Sequence, residues 1–379
     1  MKCSGIDVFT GAAVEVTGGA AIDGVDHLIT TPPGMPYVAP GFIDMQVNGF
    51  GGVDYCSPDA PAEQIGRTIR EMFATGVTRF FPTVITGTAA NMAAALRNLA
   101  EAKESIPEGP AMEGFHVEGP HISPEDGPRG AHPKHCVRPP DFEEFKRWQE
   151  AARGNVKLVT VSPEWPGTPS YIEQVVREGV VASIGHTKAT AEQIQAAVSA
   201  GATMSTHLGN GAHAVMARHP NYIWEQMAED RLAAGFIVDG IHLGGAFLTV
   251  AMRAKGVERA VLVTDAAMPT GCEPGPYMLG EVEVTLHPDG SVRLREGDRL
   301  AGSALMMNRA VGNVMRLAGV SLRDAVTMAT VNPARVGRVA SRHRGLATGQ
   351  RADVVVFDLV EGAVKVRETW MSGECVYRA

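Results

Sequence analysis

Eight short apolar runs alternate with helix-like segments through the middle of this chain, and few folds accommodate that pattern. The runs are 42–47 (FIDMQV), 79–84 (RFFPTV), 114–119 (GFHVEG), 157–163 (KLVTVSP), 180–187 (VVASIGHT), 203–208 (TMSTHL), 233–240 (AAGFIVDG) and 260–266 (AVLVTDA). Segments between them, such as AEQIGRTIREMFATG and TAEQIQAAVSAG, space apolar residues by three and four and stop at glycine. Eight buried strands alternating with helices point to a (β/α)8 barrel of about 250 residues. A doubly wound open sheet is the competing architecture. It would normally carry a glycine-rich phosphate turn after its first strand. QVNGFGGVD is glycine-rich but lacks that spacing and the helix pattern behind it.

The chain has 379 residues, 45% of them hydrophobic, enough for one large domain or two ordinary ones. Its ends read differently from its middle. They hold short alternating stretches broken by Gly, Pro and Thr, with no strong helix. Domain termini often lie close together, so the two ends are expected to pair into one small β domain. The expected organisation is residues 1–40 and 341–379 as two parts of a β-sandwich, with 41–340 as the barrel.

A formal charge of −8 argues against general affinity for nucleic acid or anionic membrane, while leaving room for a local basic pocket. No apolar run approaches the roughly 18 residues of a membrane span. The first residues, MKCSGIDVFTGAAVEV, alternate and break at glycine, unlike a signal peptide. The five cysteines (3, 56, 136, 272, 375) form no C-x-x-C pair, and reduced thiols in the cytoplasm are the simplest reading. Cys136 is read as a small filler residue rather than a nucleophile.

In a (β/α)8 barrel, the residues that end the strands form the active site. Here they are Gln46 and Asn48, Thr83, Glu118, Glu164, His186, His207, Asp239 with His242, and Asp265. Each has a plain structural explanation: a hydrogen-bonded histidine, a capping glutamate, a turn aspartate. Glutamate, histidine, histidine and aspartate on four mouths of one barrel are harder to supply by accident. Together they are a ligand set for a divalent metal plus a base. Zinc lowers the pKa of a bound water toward roughly 7 and makes it a nucleophile. An aspartate beside it can take the water's proton and return it to a leaving amine, which suits amide hydrolysis. The segment GFHVEGPHISPEDGPRGAHP spends several prolines on the loop behind Glu118. Prolines would fix its path, and His132 is placed to polarise a carbonyl oxygen.

The motifs PGFIDMQVNG, GFHVEGP, GAHP, IGHT, STHLGN, DGIH, VTDAAMP, LAGS, NPAR and ADVVVFD cover nearly the whole chain. In that order they resemble the N-acetylglucosamine-6-phosphate deacetylases of the amidohydrolase superfamily. The resemblance implies a barrel with a β-sandwich built from both ends, and a homodimer. It implies hydrolysis of an N-acetyl amino-sugar 6-phosphate to acetate and the free amino-sugar 6-phosphate. Matched residue by residue, Glu118, His186 and His207 look like the metal ligands and Asp265 like the acid/base. Ala131 and His132 look like the acetyl-side contact. Asn210 and Gly211 fall where the family meets its substrate. Arg218 and His242, the latter with Asp239, match its phosphate contacts, one of them typically supplied across the dimer. Leu300, Ala301 and Gly302 look like a wall over the sugar.

Two departures bear on these expectations. Many amidohydrolases carry H-x-H at the end of the first strand for a second metal. Here that place reads Gln46-Val47-Asn48, and amides are poorer ligands, so one divalent metal per subunit is expected. Zinc is the first choice, and Fe2+ also suits the set. No lysine ends the fourth run to bridge two metals, which argues against the cyclic-amide hydrolases. The second departure is HLGNGAHAVMARHPNYIW, where Gly209 and Gly211 replace the family's aromatic residue and alanine. His213 and His219 there are read as solvated or packing residues. The change opens other N-acyl substrates: N-acetylgalactosamine 6-phosphate, an unphosphorylated amino sugar or an N-acyl amino acid. A non-catalytic sugar-binding barrel is the reading from a different class.

Overall fold

A computed structural model of the protein describes all residues except 280, 281, 298 and 341–344. The expected domain boundary at 340/341 borders residues outside the described set. Eight parallel strands run in sequence order around one sheet: Phe42–Val47, Val77–Ile85, Phe115–Glu118, Val156–Val161, Val181–Ile184, Met204–Ser205, Ala233–Phe236 and Ala260–Leu262. Each pairs in parallel with the next. The seam closes where Val47 bridges Ala266 in parallel, with Asn48 N donating to Ala266 O at 2.7 Å and Asp265 N to Gln46 O at 3.0 Å. The sheet is therefore a (β/α)8 barrel and not an open doubly wound sheet.

The helices form as their apolar spacing predicts. Ala62–Phe73 turns Ile65, Ile69, Met72 and Phe73 inward, a stripe of period 3.6. Gly76, with φ +83°, then carries the chain into the second strand. Ala191–Ser199 starts with a capping box, the Thr190 side chain accepting from Gln193 N while the Gln193 side chain accepts from Thr190 N. Several apolar runs outlast their ladders. The fifth to eighth runs were expected to reach 187, 208, 240 and 266, whereas the strands stop at Ile184, Ser205, Phe236 and Leu262. Most residues past the ladder stay buried, Asp239 and Gly240 excepted, because the barrel mouth is itself covered.

Both chain ends enter one seven-stranded sheet. Its spatial order is Glu374–Arg378, Ala363–Met371, Val354–Val360, Tyr37–Pro40, Lys2–Asp7, Ala13–Gly18 and Ile22–His27. Val354–Val360 pairs antiparallel with Tyr37–Pro40, so the two termini meet at the centre of the sheet. One small core holds Val14, Val16, Val38, Val354 and Val356. Val355, Phe357 and Val364 pack instead into the main barrel core. The alternation of the strands thus serves two apolar layers.

The sequence reading did not foresee a third sheet. Gly275–Leu279, Val282–Leu286, Ser291–Leu294 and Leu300–Ser303 form an antiparallel meander inserted after the eighth barrel strand. Its apolar face, with Leu279, Val284, Val292 and Ala301, packs on Ala267 just past that strand. The insert is tied to the barrel at the mouth, where Ser303 N donates to Asp265 O at 2.8 Å.

Candidate active site

The site begins where the strand ladders break. His186, His207 and Asp265 sit two or three residues past their strands, each with positive φ: 48°, 28° and 52°. Non-glycine residues rarely adopt this region, and strain of this kind concentrates at functional sites. Glu118 reaches the same point as the last residue of the third strand. His207 Nε2 lies 2.8 Å and His186 Nε2 3.2 Å from Glu118 Oε1. The two ring nitrogens are 3.1 Å apart. Among the described residues these three form the one cluster whose donor atoms converge closely enough to hold a metal ion.

The donor set fits a divalent cation. His186 Nδ1 lies 2.8 Å from Pro128 O, so that nitrogen donates and the Nε2 lone pair points at the cluster. Burial alone would raise the Glu118 carboxyl, yet hydrogen bonds and charges from His186 and His207 outweigh it and hold it well below the usual range. His207 is shifted upward: burial opposes this, and the bond to Glu118 prevails. A buried carboxylate and two imidazoles all aimed at one point are the arrangement a metal ion satisfies.

Asp265 stands beside the cluster under different control. Gln46 Nε2 donates to both Glu118 Oε1 and Asp265 Oδ1 at 3.0 Å. Asn48 Nδ2 donates to Asp265 Oδ1 at 2.6 Å. Burial, reinforced by the Glu118 charge, pushes the Asp265 carboxyl up to about 6. A carboxyl poised near neutrality can both take and give a proton. Below the floor lies a chain of buried hydroxyls. His116 Nε2 is 2.7 Å from Thr160 Oγ1, which is 2.7 Å from Thr206 Oγ1, itself 2.6 Å from Ser183 Oγ.

The proline-rich loop closes over one side. His132 is buried, its Nδ1 2.8 Å from Thr86 Oγ1, and its ring meets His186 edge-on with centroids 4.4 Å apart. Burial, with the neighbouring His186, lowers His132 to about 3, so the ring is neutral. The resulting cavity has a volume of about 570 Å³.

Of the residues singled out from sequence, Glu118, His186, His207, Asp265, Ala131, His132, Asn210, Gly211, His242, Leu300, Ala301 and Gly302 line this cavity. Asp239 stands behind the wall, its Oδ2 accepting from His242 Nδ1 at 2.6 Å. Arg218 is not brought in. It is exposed on the loop after the sixth strand and is not among the lining residues. Thr83 is not a mouth residue either, because its strand runs on to Ile85. It is buried in the barrel and donates toward Phe81 O while accepting from Val47 N. Glu164 is occupied by Ser123, Ser162 and Lys188 N. His213 bonds Tyr222 through Nδ1 at 2.9 Å, the packing role expected of it. Sequence reasoning missed Thr86, Arg293 and Arg299, which all line the cavity. The stretch VRLREGDRLAGS, dense in arginine immediately before the recognised LAGS, was the available signal.

A carboxylate and two histidines beside a poised aspartate, at the C-terminal mouth of a (β/α)8 barrel, define a metal-dependent hydrolase site. The chain belongs to the amidohydrolase family, whose sequence profile matches residues 37–376. Among its relatives, the N-acetylglucosamine-6-phosphate deacetylase of Bacillus subtilis is 33% identical over 86% of this chain and 81% of its own. The N-acetylgalactosamine-6-phosphate deacetylase of Escherichia coli O157:H7 is 31% identical over 89% of this chain and 87% of its own. A mutant N-acetyl-D-glucosamine-6-phosphate deacetylase from Mycobacterium smegmatis, in complex with N-acetyl-D-glucosamine-6-phosphate, superposes with a TM-score of 0.87. It is 31% identical, covering 96% of this chain and 94% of that one.

Proposed function

We propose that the protein hydrolyses the acetamide of N-acetylglucosamine 6-phosphate, giving glucosamine 6-phosphate and acetate. The observation that carries this reading is the convergence of Glu118, His186 and His207 with Asp265 at one end of the cavity. The similarity to deacetylases of amino-sugar phosphates supports the substrate class.

Glu118, His186 and His207 would hold one divalent cation, with zinc as the proposed metal and Fe2+ equally suited to the donor set. Bound there, the cation supplies Lewis acidity and lowers the pKa of water. The N–H groups of Gln46 and Asn48 point at Glu118 and Asp265, giving that side of the site donors rather than metal ligands. This favours a single-metal centre. Asp265 accepts the proton of the attacking water and passes it to the leaving nitrogen. Both amides bond its Oδ1, which sets Oδ2 as the oxygen for that transfer. His132 polarises the acetyl oxygen. Asn210, Gly211 and Leu300 to Gly302 would flank the sugar, and His242, steadied by Asp239, would face its phosphate. A homodimer in which Arg218 reaches the partner's cavity is part of the reading. So is a cytoplasmic location, which suits five free cysteines.

The test is acetate release from N-acetylglucosamine 6-phosphate, run beside N-acetylgalactosamine 6-phosphate and unphosphorylated N-acetylglucosamine, with metal content assayed. The expected outcome is preferred turnover of the glucosamine phosphosugar with about one metal per chain. Chelation should abolish turnover and zinc should restore it. Asp265→Asn should lose turnover by about 10²-fold or more while keeping its metal. No release from any of the three sugars by metal-loaded protein would refute the assignment.

A further inference from the structure

The proline-rich loop runs from Gly119 to the helix Phe142–Ala151 and delivers more to the site than His132. Pro128 O accepts from His186 Nδ1 at 2.8 Å, so the loop also orients a metal ligand. Gly130, at φ +60°, lies against the same ring, where an added Cβ would meet His186 Cε1 at 3.1 Å. Prolines restrict φ along this path but do not close it. Closure falls to Arg138, near the loop's far end. Its Nη1 donates to Cys136 O at 2.6 Å and to Gly87 O at 3.0 Å. Its Nε donates to Glu144 Oε2 at 2.9 Å, and Nη2 pairs with the other oxygen of that carboxylate. Nη2 also approaches Met92 Sδ at 3.8 Å. Every N–H of the fork is thereby placed, and the Glu144 side chain that braces it is only 4% exposed. Arg138 N donates to Pro120 O at 3.1 Å, which brings the two ends of the loop together.

Gly87 follows Thr86, the residue that bonds His132. One short segment past the second strand therefore grips the loop twice, through Thr86 at His132 and through Gly87 at Arg138. A lysine would keep the charge but not the planar fork that reaches two carbonyls and a carboxylate together. We propose that Arg138, braced by Glu144, is a positioning residue that holds the proline-rich loop shut. His132 is thereby kept at the reacting carbonyl, and Pro128 O keeps His186 oriented. Cys136 reports the closed state, because its side chain is buried in the loop on the cavity wall and opening the loop uncovers it. This role rests on the amide-hydrolysis reading above, but thiol exposure and metal retention test it without turnover.

The experiment uses full-length, zinc-loaded wild type, Arg138→Lys and the Arg138→Met/Glu144→Met pair. The pair removes both charges together, so neither is left buried without its partner. The readouts are kinetics on N-acetylglucosamine 6-phosphate, maleimide labelling of Cys136 and Cys56 followed by peptide mass spectrometry, and zinc loss to a chelator. In both variants kcat should fall about 10- to 100-fold with KM changed far less, because His132 acts on the carbonyl as charge develops. Labelling of Cys136 should accelerate about 10-fold or more as the loop opens locally. Cys56, which is buried and lines the cavity from the segment after the first strand, should keep its wild-type rate. Zinc should be lost about 10-fold faster, since contacts that orient a histidine ligand are worth about that much or more in affinity. A folded variant with kcat or Cys136 labelling within about twofold of wild type overturns the proposal, whatever its melting temperature. So does labelling of Cys56 and Cys136 that rises together, which is general loosening of the mouth. A wild type without turnover, with Cys136 still released and zinc still lost in the variants, refutes the hydrolysis reading and upholds the clamp.

Discussion

His132 has two ring nitrogens, and the structure accounts for one of them. Its neutral ring carries a single N–H, and Thr86 Oγ1 sits 2.8 Å from Nδ1. The same hydroxyl is 3.4 Å from Glu118 O, a longer and weaker alternative. When Thr86 donates to Nδ1, the ring proton resides on Nε2, where it can polarise a carbonyl oxygen. Thr86→Val removes that donor and releases the tautomer. Its kcat should fall about 10- to 100-fold with metal content unchanged, and Thr86→Ser should restore it. Steady-state kinetics beside metal analysis checks this, and a fully active valine variant would refute it. His132 itself was legible in the sequence through RGAHP. Thr86 was not, because the sequence reading ended the second strand at Val84, and the structure carries it to Ile85.

At the scale of elements, the first and eighth strands close the barrel and share one buried carboxylate. Asp44 Oδ2 accepts from Thr264 Oγ1 at 2.6 Å, while its Oδ1 accepts from Thr264 N at 3.2 Å and Gln46 N at 3.3 Å. Burial pushes this carboxyl up to about 7 although those bonds oppose it. An unfolded aspartate titrates near 3.9. Between these values the folded chain holds a proton that the unfolded chain has lost. By linkage, the contribution of Asp44 to stability falls as pH rises through that window. Above about 7 the buried anion carries its full cost. Asp44→Asn keeps an acceptor for the two backbone donors and cannot ionise. Its stability relative to wild type should therefore improve by up to a few kcal/mol between pH 5 and pH 8. Denaturant midpoints at the two pH values measure it, and a pH-independent difference would refute the assignment. The strands themselves were legible because buried parallel strands are apolar along their whole length. Their ends were not, because apolar residues continue past the ladder into a covered mouth.

Across the whole molecule, the barrel and the terminal sheet are joined by a buried ion network at the start of the second barrel strand. Arg79 Nε lies 3.1 Å from Asp353 Oδ2, and Arg79 also pairs with Glu113. Arg351 Nε approaches Asp353 Oδ1 at 2.7 Å, and Ser372 N donates to the same oxygen at 2.8 Å. Asp353 is fully buried, so its removal takes one carboxylate from Arg79, which keeps Glu113, and from Arg351, which keeps Pro110 O. Asp353→Ala should destabilise the protein by about 3–5 kcal/mol, as loss of one partner from a buried pair does. Equilibrium unfolding would show it. The network is at the strand starts, away from the mouth, so metal content of the folded variant should be unaffected.

Sequence alone determined what is local or periodic. The barrel followed from eight apolar runs and the helices between them. The ligand set followed from polar residues at the run ends, whose chemistry does not depend on knowing their distances. Pairing of the two chain ends was inferable because both read as short strands and turns without a strong helix, and domain termini often lie close together. Tertiary structure alone decided what depends on segments meeting. The meander over the cavity was hidden because short amphipathic strands look like loop until they have a surface to cover. Arg299 reads as one more solvated arginine until the insert folds back on the mouth. The positive-φ turns that bring His186, His207 and Asp265 together are set by the closed ladder. A histidine or aspartate enters that conformation at a cost that only the surrounding packing can offset.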